Sequence, residues 1–273
     1  MAFHTRLSAS SAHRWLKCPQ SVVKATAQPG NKYAAEGTFL HDIAASCIEK
    51  KLNARLLVGS KSKVEEWDFT LTEEMADAVN TYVDAVLAVP GDLEVEVSLH
   101  ESLGKVHPDL GGTADAIVGQ WDQKRLHVFD AKFGAGQFVE VVGNEQARVY
   151  ALGALLRAPL PVKEVRCVIV QPRYTGAEPI REWVFPAVEI FDFMADLVQA
   201  AKRTYEPDPP YVPGDHCKWC TVQNCPALAA KQTELMSQRF ADPTKLTPAD
   251  VADGLNLVPL VKTRIAAFEQ AAY

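Results

Sequence analysis

Hydrophobic side chains recur every three to four residues over much of the first ninety positions, a period that predicts helices. Three segments carry this pattern: 7–23, about 36–52, and a third that begins at the Thr72-Glu73-Glu74 start signal and runs to about residue 89. The pair Pro90-Gly91 ends the third helix. The N-terminal third of the chain is therefore predicted to be mainly helical.

After residue 91 the pattern changes to a period of two, which predicts strands. Apolar and polar residues alternate over 93–99, and two further strands are predicted over 113–118 and 126–131, joined by the polar turn 119–125. The remaining predicted elements are a helix over 144–157, a buried strand over 165–171, a strand over 181–185 and a helix over 188–203. This order predicts an α/β core that begins with a three-stranded meander.

The last seventy residues have a different character from this core. Four prolines between residues 207 and 213 predict a stiff connector, and a group of cysteines follows it. Helices are then predicted over 227–239 and 248–272, the second opened by Thr247. We therefore expect a helical, cysteine-bearing elaboration of the core.

Composition and charge limit the classes of protein that fit these elements. The 273 residues are 48% hydrophobic and 23% charged, as in globular proteins, and the formal net charge is −6. An acidic chain is not the basic body of a non-specific nucleic-acid binder, so any polyanion must meet a local patch. No apolar stretch approaches eighteen residues, and the N terminus lacks a signal-peptide core. We expect a cytoplasmic protein with no membrane partner.

The six cysteines divide into two groups by their surroundings. Cys217, Cys220 and Cys225 form a C-x-x-C-x-x-x-x-C run, and Cys18 lies far upstream beside a proline. Metal ligation or catalysis is more common than disulfides for cysteines of a cytosolic protein. Cys47 and Cys167 lie in apolar segments and are predicted to be core residues. Four thiolates are enough for either a zinc site or an iron–sulfur cluster.

Two carboxylates and a lysine stand out in the predicted meander. Asp115 is the one charge in a strand of small and apolar residues, and a buried carboxylate is costly unless it is paired or bound to a metal. Asp130 and Lys132 are two residues apart at the end of the next strand, and therefore lie on one face. Oxygen ligands of this kind suit Mg²⁺ or Mn²⁺, and a lysine can position a water or stabilise developing charge. An exposed Asp-Lys pair at a strand end is the alternative.

Three more residues extend this group along the chain. His41 lies on the apolar face of the second helix, where a lone histidine is usually a core residue. Gln146 and Tyr150 are four apart on the helix after the lysine strand, so they project from one face. Each signal alone is weak. The order His, Asp, Asp-x-Lys, Gln-x-x-x-Tyr is specific.

That order resembles the RecB-like branch of the PD-(D/E)XK nuclease superfamily, in particular its iron–sulfur members such as the AddB nuclease domain and the CRISPR-adaptation exonucleases. The resemblance covers roughly residues 7–226, and it begins with the segment around Trp15 and Cys18. Gly37 and His41 are similar to the G-x-x-x-H element of that branch. The fold that the resemblance implies is α/β, with a restriction-endonuclease-like core, a mixed central sheet flanked by helices, and a helical iron–sulfur elaboration.

The resemblance also implies roles for individual residues. Asp115, Asp130 and Lys132 are expected to be catalytic, and the metal ligands are expected to be His41, Asp115, Asp130 and the Ala131 carbonyl, holding Mg²⁺ or Mn²⁺. Gln146 and Tyr150 are expected to bind the substrate strand, together with the adjoining Arg148. Glu96, on the preceding strand, is a possible further carboxylate.

The cysteines of the chain match the same family pattern. Cys18, Cys217, Cys220 and Cys225 are expected to hold a 4Fe-4S cluster, with zinc as the alternative. The chain departs from the family pattern in two places. Ala114 precedes Asp115 where the family has proline, and the second acid, Asp130, stands where many members have glutamate. Neither departure removes a ligand.

We therefore predict a metal-dependent DNA nuclease, an exonuclease that acts on single- or double-stranded DNA ends in phage recombination or repair and is encoded by a phage or prophage. A phage recombination or single-strand-binding protein is a possible partner, in the cytoplasm of a bacterial host. Residues 1–226 are predicted to form the nuclease domain and 227–273 a helical extension. One alternative is a catalytically silent DNA-binding or assembly module with the same fold and cluster, and another is a redox-sensing cluster protein.

Overall fold

A computed structural model describes residues 5–26, 30–222, 225–239 and 246–252, together with the single positions 254, 255, 258, 261, 262 and 265. The chain divides into two compact units, which are described separately below. The first unit comprises Met1–Ala12 and Pro29–Asp196, and the second comprises His13–Gln28 and Leu197–Tyr273. The predicted domains 1–226 and 227–273 stay a prediction.

Helices and strands alternate through the described part of the chain. The helices are α1 (Ala12–Trp15), α2 (Gln20–Val23), α3 (Lys32–Lys50), α4 (Glu73–Leu87), α5 (His100–Gly104), α6 (Glu145–Leu155), α7 (Glu189–Arg203) and α8 (Pro226–Arg239). The strands are β1 (Leu7–Ser8), β2 (Lys61–Val64), β3 (Trp67–Thr70), β4 (Asp92–Ser98), β5 (Leu110–Gly111), β6 (Thr113–Gln120), β7 (Arg125–Ala131), β8 (Glu164–Val170) and β9 (Ile180–Pro186). Short 3₁₀ turns occupy Ala9–Ser11, Ala54–Leu57 and Asp215–Trp219.

A five-stranded mixed sheet organises the first unit. Its strand order is β4-β6-β7-β8-β9. Strands β4, β6 and β7 form the predicted antiparallel meander, β7 and β8 run parallel, and β9 returns antiparallel to β8. A parallel pair needs a crossover rather than a tight turn, and α6 lies in that crossover. The predicted α/β class with a mixed central sheet flanked by helices is confirmed.

Helices cover both faces of this sheet. Helices α3 and α4 pack with alternate residues of β6, β7 and β8, among them Val118, Phe129 and Val168. Helix α6 lies against the other face, where the Cys167 thiol donates to the Ala147 carbonyl at 3.7 Å. Cys47 and Cys167 are completely buried, so their predicted core positions are confirmed. The sheet is therefore inaccessible to solvent over most of its area, except at its strand ends and edges.

Start signals in the sequence mark two of these helices correctly. The Thr72 side chain accepts a hydrogen bond from the Met75 amide at 3.2 Å and caps α4. The Asn144 side chain accepts from the Ala147 amide at 3.0 Å and caps α6. Capping depends on neighbouring residues alone, so these boundaries could be predicted from the sequence.

Within the first predicted helical segment, 7–23, helical structure begins at Ala9 rather than at residue 7. Leu7 and Ser8 instead form β1, which pairs in parallel with β5, and the Leu7 amide donates to the Asp109 carbonyl at 3.0 Å. Only two short helices, α1 and α2, lie in that segment. A pairing across a hundred residues overrides the local helical pattern, because propensity is weaker than tertiary contacts.

The hairpin of β2 and β3 is an element that the periodicity did not reveal. Lys61, Ser62 and Lys63 are all exposed, so β2 has no apolar face to produce an alternating pattern. The turn places Glu65 at φ 53°, a conformation for which a glutamate gives no sequence signal. Neither the strand nor its turn could therefore be recognised from the residue pattern.

The helix predicted over 227–239 is confirmed by α8. Of the helix predicted over 248–272, residues 248–252 and all six of the single positions that follow are helical, and the rest lies outside the described residues. Among the helices that the structure describes, none is long and apolar enough to cross a membrane.

His127 on β7 gives the sheet a pH-dependent stability. It is buried and lies 3.0 Å from the Gln120 side chain, and its pKa is lowered, first by burial and then by the Arg166 charge. The unfolded chain binds a proton below a pH of about 6.5 while the folded chain resists it, so the free energy of unfolding falls with the pH there.

We expect the His127→Gln variant to lose less stability than the wild type between pH values of about 8 and 5.5. Gln can keep a hydrogen bond to Gln120 without taking up a proton. Urea unfolding followed by circular dichroism at both pH values measures the difference. An equal pH dependence in the two proteins would show that His127 does not titrate in this way.

Candidate functional site

The site begins where strands β6 and β7 separate. Their ladder ends at the pair Ala116 and Phe129, although β7 continues to pair with β8 as far as Ala131 and Val170. The Asp115 carboxylate fills the gap and accepts the freed Ala131 amide through Oδ2 at 2.6 Å. The carboxylate thus replaces a carbonyl of the neighbouring strand, and it is held by the backbone at the end of β7.

Three side chains converge at this point. Ligand atoms of His41, Glu96 and Asp115 all lie within 4.8 Å of one another, which is the one such group of His, Cys, Asp and Glu among the described residues. His41 projects from α3, and its Nδ1 lies 3.4 Å from Asp115 Oδ1. Its ring also packs edge-on against Phe133 with 5.2 Å between ring centroids. A nitrogen and two carboxylates from three different elements form a donor set that a divalent cation can use.

Glu96 reaches this group through an unusual backbone conformation. In the register of β4 and β6 it lies opposite Asp115, between the pairs Val95–Ala116 and Val97–Ala114. Its φ is 50°, a left-handed conformation that is uncommon for glutamate and characteristic of functional sites when it occurs inside a strand. The alternation of β4 made Glu96 only a possible ligand, because the residue pattern carries no sign of this backbone rotation.

A second group of side chains lies beside the first. Lys132 Nζ donates to Asp130 Oδ1 and to Gln146 Oε1, both at 3.0 Å. Gln146 in turn donates to the Tyr150 hydroxyl at 2.9 Å and to Asp130 Oδ1 at 3.4 Å. The residues predicted from the spacings Asp-x-Lys and Gln-x-x-x-Tyr are therefore joined in one hydrogen-bonded chain.

Asp130 is the deepest member of this chain. Its side chain is 5% exposed, and its Oδ2 lies 2.8 Å from Lys132 Nζ in an ion pair. The direction of that contact does not give a hydrogen bond, so Oδ2 accepts none from the described residues. Asp130 does not belong to the close group of His41, Glu96 and Asp115. Its buried Oδ2 is an acceptor that forms an ion pair with Lys132 but accepts no hydrogen bond from the described residues.

Charges in the site are unequally distributed among the acids. Burial of its carboxylate and the neighbouring Asp115 raise the pKa of Glu96 to about 7, although the residue as a whole is exposed to solvent. Burial raises the pKa of Asp130, while the Lys132 charge acts in the opposite direction. Burial lowers the pKa of His41, but Asp115, Asp130 and Glu96 together outweigh it and the net direction is upward. The three acids of the site therefore outnumber its two basic side chains, Lys132 and His41.

Tyr150 is held in place by a close approach to the backbone. A Cβ at Gly112 would lie 2.9 Å from the Tyr150 ring and 2.9 Å from the Ala9 Cβ, closer than side-chain contacts allow. Only glycine therefore fits at position 112 without moving the ring. The Gly-Gly that precedes β6 thus has a packing role in the Gln146–Tyr150 pair.

Arg173 has a positioning role, whereas the sequence suggested only a basic residue beside the last core strand that could line a DNA-binding cleft. Its guanidinium donates to the Phe133 carbonyl at 3.1 Å and forms ion pairs with Glu36 at 2.5 Å and Glu74 at 2.8 Å. It thereby joins the backbone just after Lys132 to α3 and to α4. No motif could have revealed it, since its three partners lie between 40 and 137 residues away.

The structure places two predicted residues less directly. The Arg148 guanidinium lies over the Phe193 ring, 4.0 Å from its centroid, so it contacts an aromatic side chain and is not joined to the Lys132 chain by a described contact. Ala131 contributes its amide to Asp115, while metal binding by its carbonyl stays a prediction. DNA binding by Arg148 also stays a prediction.

Tyr82 is a second residue that the pattern concealed, because it lies among the apolar positions of α4. Its side chain is 2% exposed, and its hydroxyl has no hydrogen-bond partner among the described residues. Burial raises its pKa, and the Asp115, Asp130 and Glu96 charges add to that rise. A buried donor without a partner therefore lies within electrostatic reach of all three acids.

Four cysteines form a separate group in the second unit. The Sγ atoms of Cys18, Cys217 and Cys225 each accept a backbone amide, from Val212, Gly214 and Leu228, at 3.4 Å in every case. Cys220 accepts from the Val222 backbone. Amide donors of this kind stabilise the thiolate form that binds metals.

The cysteines also influence one another. Burial raises the pKa of Cys217, and the other three thiols raise it further, while the Gly214 amide lowers it. No three of the four sulfur atoms lie within 4.8 Å of one another in the described structure.

Comparison with known families adds one finding. The sequence model of DUF2800, described as a protein of unknown function, matches residues 4–273. The chain belongs to the DUF2800 family. The match includes every residue of the His41 group, the Lys132 chain and the four cysteines. The description assigns DUF2800 no activity, so the function must be argued from the chemistry of these residues.

The unpartnered Tyr82 hydroxyl gives a prediction for this DUF2800 protein. A buried hydroxyl without a hydrogen bond is destabilising, and phenylalanine fills the same space without it. We expect Tyr82→Phe to raise the free energy of unfolding by about 1 kcal/mol. Urea unfolding measures it, with the exposed Tyr33→Phe as the matched control. A lower stability of Tyr82→Phe would mean that an ordered water or ion pairs with the hydroxyl.

Proposed function

We propose that the chain is a metal-dependent deoxyribonuclease that hydrolyses phosphodiester bonds at DNA ends. The observation that carries the proposal is the junction of two groups at the end of β7. Asp115 belongs to the cation-binding set with His41 and Glu96, and its carboxylate is bonded to the residue between Asp130 and Lys132. Carboxylates that can bind a cation therefore lie next to a lysine that can bind a phosphate.

The residues of the first group fit a divalent cation. They offer one imidazole and two carboxylates, with an unused acceptor on the nearby Asp130. Hard oxygen ligands together with imidazole suit Mn²⁺ or Mg²⁺. Such an ion would lower the pKa of a bound water and offset charge on the phosphate. His41, Asp115, Asp130 and Glu96 are the side chains we propose as its ligands.

Lys132 is the side chain we propose to act on the attacking water. Its side chain is 24% exposed, so it can exchange part of its hydrogen bonding with Asp130 for contacts with a substrate. It carries three donors, and Asp130 and Gln146 fix its direction. From that position it can orient a water and stabilise negative charge on the phosphate.

Gln146 and Tyr150 are proposed to hold the substrate strand. They form one hydrogen-bonded column with Lys132 along α6, and Gly112 keeps the Tyr150 ring in line. The order His41, Asp115, Asp130, Lys132, Gln146, Tyr150 in the sequence supports DNA as the substrate through its resemblance to the RecB-like branch. The same resemblance supports an exonuclease of phage recombination or repair.

The four cysteines are proposed to bind a 4Fe-4S cluster. Support comes from the four sulfur atoms, each of which accepts a backbone amide, and from the resemblance of the cysteine pattern to the iron–sulfur members of the RecB-like branch. When bound, the cluster would supply folding energy, since its ligands lie at distant positions of the chain. Cys18 and Cys225 would thereby be joined within the second unit.

We expect the purified protein to cut linear DNA in Mn²⁺, and Lys132→Ala to reduce the rate at least about 100-fold, because the side chain orients the attacking water. The assay compares linear with circular DNA and includes a chelator. Lys105→Ala, an exposed lysine outside the site, is the matched control.

Two other results would contradict different parts of the proposal. Absence of cleavage by an intact protein on both DNA forms would favour a catalytically silent DNA-binding module. Cleavage by Lys132→Ala at the wild-type rate would remove Lys132 from the site while keeping the enzyme. Titration calorimetry of Mn²⁺ binding tests the proposed cation ligands without relying on activity. We expect Asp115→Asn to bind Mn²⁺ more weakly than the wild type.

We expect anaerobically purified protein to be brown with broad visible absorbance, and Cys220→Ser to lose that colour. Cys47→Ser is the matched control, since Cys47 is buried in the core of the first unit rather than in the cysteine group. Metal analysis accompanies the spectra. A colourless protein with one zinc per chain would establish the alternative metal.

A further inference from the structure

Two loops leave the sheet at the same end as Lys132. Strands β7 and β8 are parallel, and each is followed by a loop, 132–144 after β7 and 171–179 after β8. The Lys132 amide donates to the Val170 carbonyl at 2.8 Å, so the two loops begin side by side. Both loops therefore begin at the end of the sheet that carries Asp130 and Lys132.

An exposed aromatic pair lies in these loops. Phe138 belongs to the first loop and is 42% exposed, and Tyr174 belongs to the second. Their ring centroids are 5.6 Å apart with the planes tilted by 49°. The Arg181 guanidinium lies 4.7 Å from the Phe138 ring centroid. An aromatic ring that contacts a cation and still presents much of its surface to solvent is a suitable surface for stacking.

The backbone around this pair is fixed by hydrogen bonds from one buried glutamine. Gln171 is 1% exposed, and its amide nitrogen donates to the Gln137 carbonyl at 2.5 Å. Its Oε1 accepts from the Val139 amide at 3.2 Å and from Arg181 at 2.9 Å. Arg181 donates to the Val139 carbonyl at 2.9 Å as well. Both peptide groups that flank Phe138 are therefore held in place.

The pair of rings is also fixed from the second loop. A Cβ at Gly176 would lie 2.8 Å from the Tyr174 ring, so the ring rests directly on the backbone of that turn. A solvent-exposed phenylalanine usually gains nothing from rigid support. Here the support keeps the exposed ring in one position, which lowers the entropy that a ligand would otherwise lose on binding.

We propose that Phe138, with Tyr174 beside it, is a stacking subsite for a nucleobase of a single strand that enters the Lys132 site. The inference rests on the proposed nuclease function, which makes DNA the molecule that binds here. It adds that the bound DNA is single-stranded. In a duplex the bases are stacked on their neighbours and are unavailable to a protein ring. A strand bound here is therefore single, or is the frayed end of a duplex.

Chemistry at the two loops favours a base over a phosphate at this position. A phosphate would need free donors, whereas the Arg181 guanidinium already donates to Gln171, Val139 and Glu178. The Phe138 ring offers a π-face, which every base can use regardless of sequence. The group that we propose to bind the phosphate is the Lys132 ammonium, at the start of the same loop.

The test measures binding of short oligonucleotides to the full-length chain by fluorescence anisotropy. All proteins carry Lys132→Ala to prevent cutting and are kept in Mn²⁺. The two probes are an oligodeoxythymidine of about twelve nucleotides and a backbone of the same length without bases. We expect Phe138→Ala to bind the thymidine oligomer about tenfold more weakly and the abasic oligomer equally well.

Two variants control for general effects on folding and surface polarity. Phe138→Trp keeps a large aromatic face and is expected to restore binding. Phe191→Ala removes another exposed phenylalanine, on α7, and is expected to leave binding unchanged. Thermal unfolding of each variant establishes that the chain is folded.

The outcomes separate this inference from the nuclease proposal. Equal affinity of Phe138→Ala and its parent for the thymidine oligomer, or no binding of either probe by the parent, would overturn the stacking subsite. An equal loss for both probes would also overturn it. A wild-type protein that cuts no DNA but binds thymidine with this dependence on Phe138 would refute the nuclease and retain the subsite.

Discussion

One hydrogen bond, from the Ala131 amide to the Asp115 carboxylate, determines the arrangement of the site. A sheet whose strands stayed paired to their ends would satisfy that amide with a carbonyl of β6. The ladder instead ends at Ala116 and Phe129, and the side chain of Asp115 takes the place of the backbone acceptor. A carboxylate that is bonded to the backbone keeps one oxygen directed outward, towards His41 on α3. The carboxylate that fills the opening in the sheet is therefore the same one that faces His41.

Charge balance follows from this opening. Three acids from three neighbouring strands, Glu96, Asp115 and Asp130, face a small volume that contains one lysine and one histidine. Burial makes each negative charge more expensive, which the raised pKa values of Glu96 and Asp130 reflect. The strained φ of Glu96 adds a further cost in the absence of a ligand. Costs of this kind, retained in the folded chain, are the reason for which we propose a cation at this site.

Support from outside the site keeps its parts in register. Arg173 joins the segment after Lys132 to α3 and α4, and Gln171 fixes the next part of the same loop through peptide groups on both sides of Phe138. These two residues are separated by a single proline at the end of β8. One short segment therefore fixes both the backbone that follows Lys132 and the backbone on either side of the exposed Phe138 ring.

The sequence by itself determined the helices and strands whose boundaries depend on neighbouring residues, such as the capped α4 and α6 and the alternating meander. Spacings of two and four residues also predicted that Asp130 and Lys132, and likewise Gln146 and Tyr150, share one face of a strand or helix, while the resemblance to the RecB-like branch implied that the two pairs belong to one site. Tertiary structure alone decided the remainder. Examples are the β1–β5 pairing, the left-handed conformation of Glu96, the Tyr82 hydroxyl without a hydrogen bond and the contacts of Arg173. Each is decided by groups that lie far away in the chain, and periodicity contains no information about such groups.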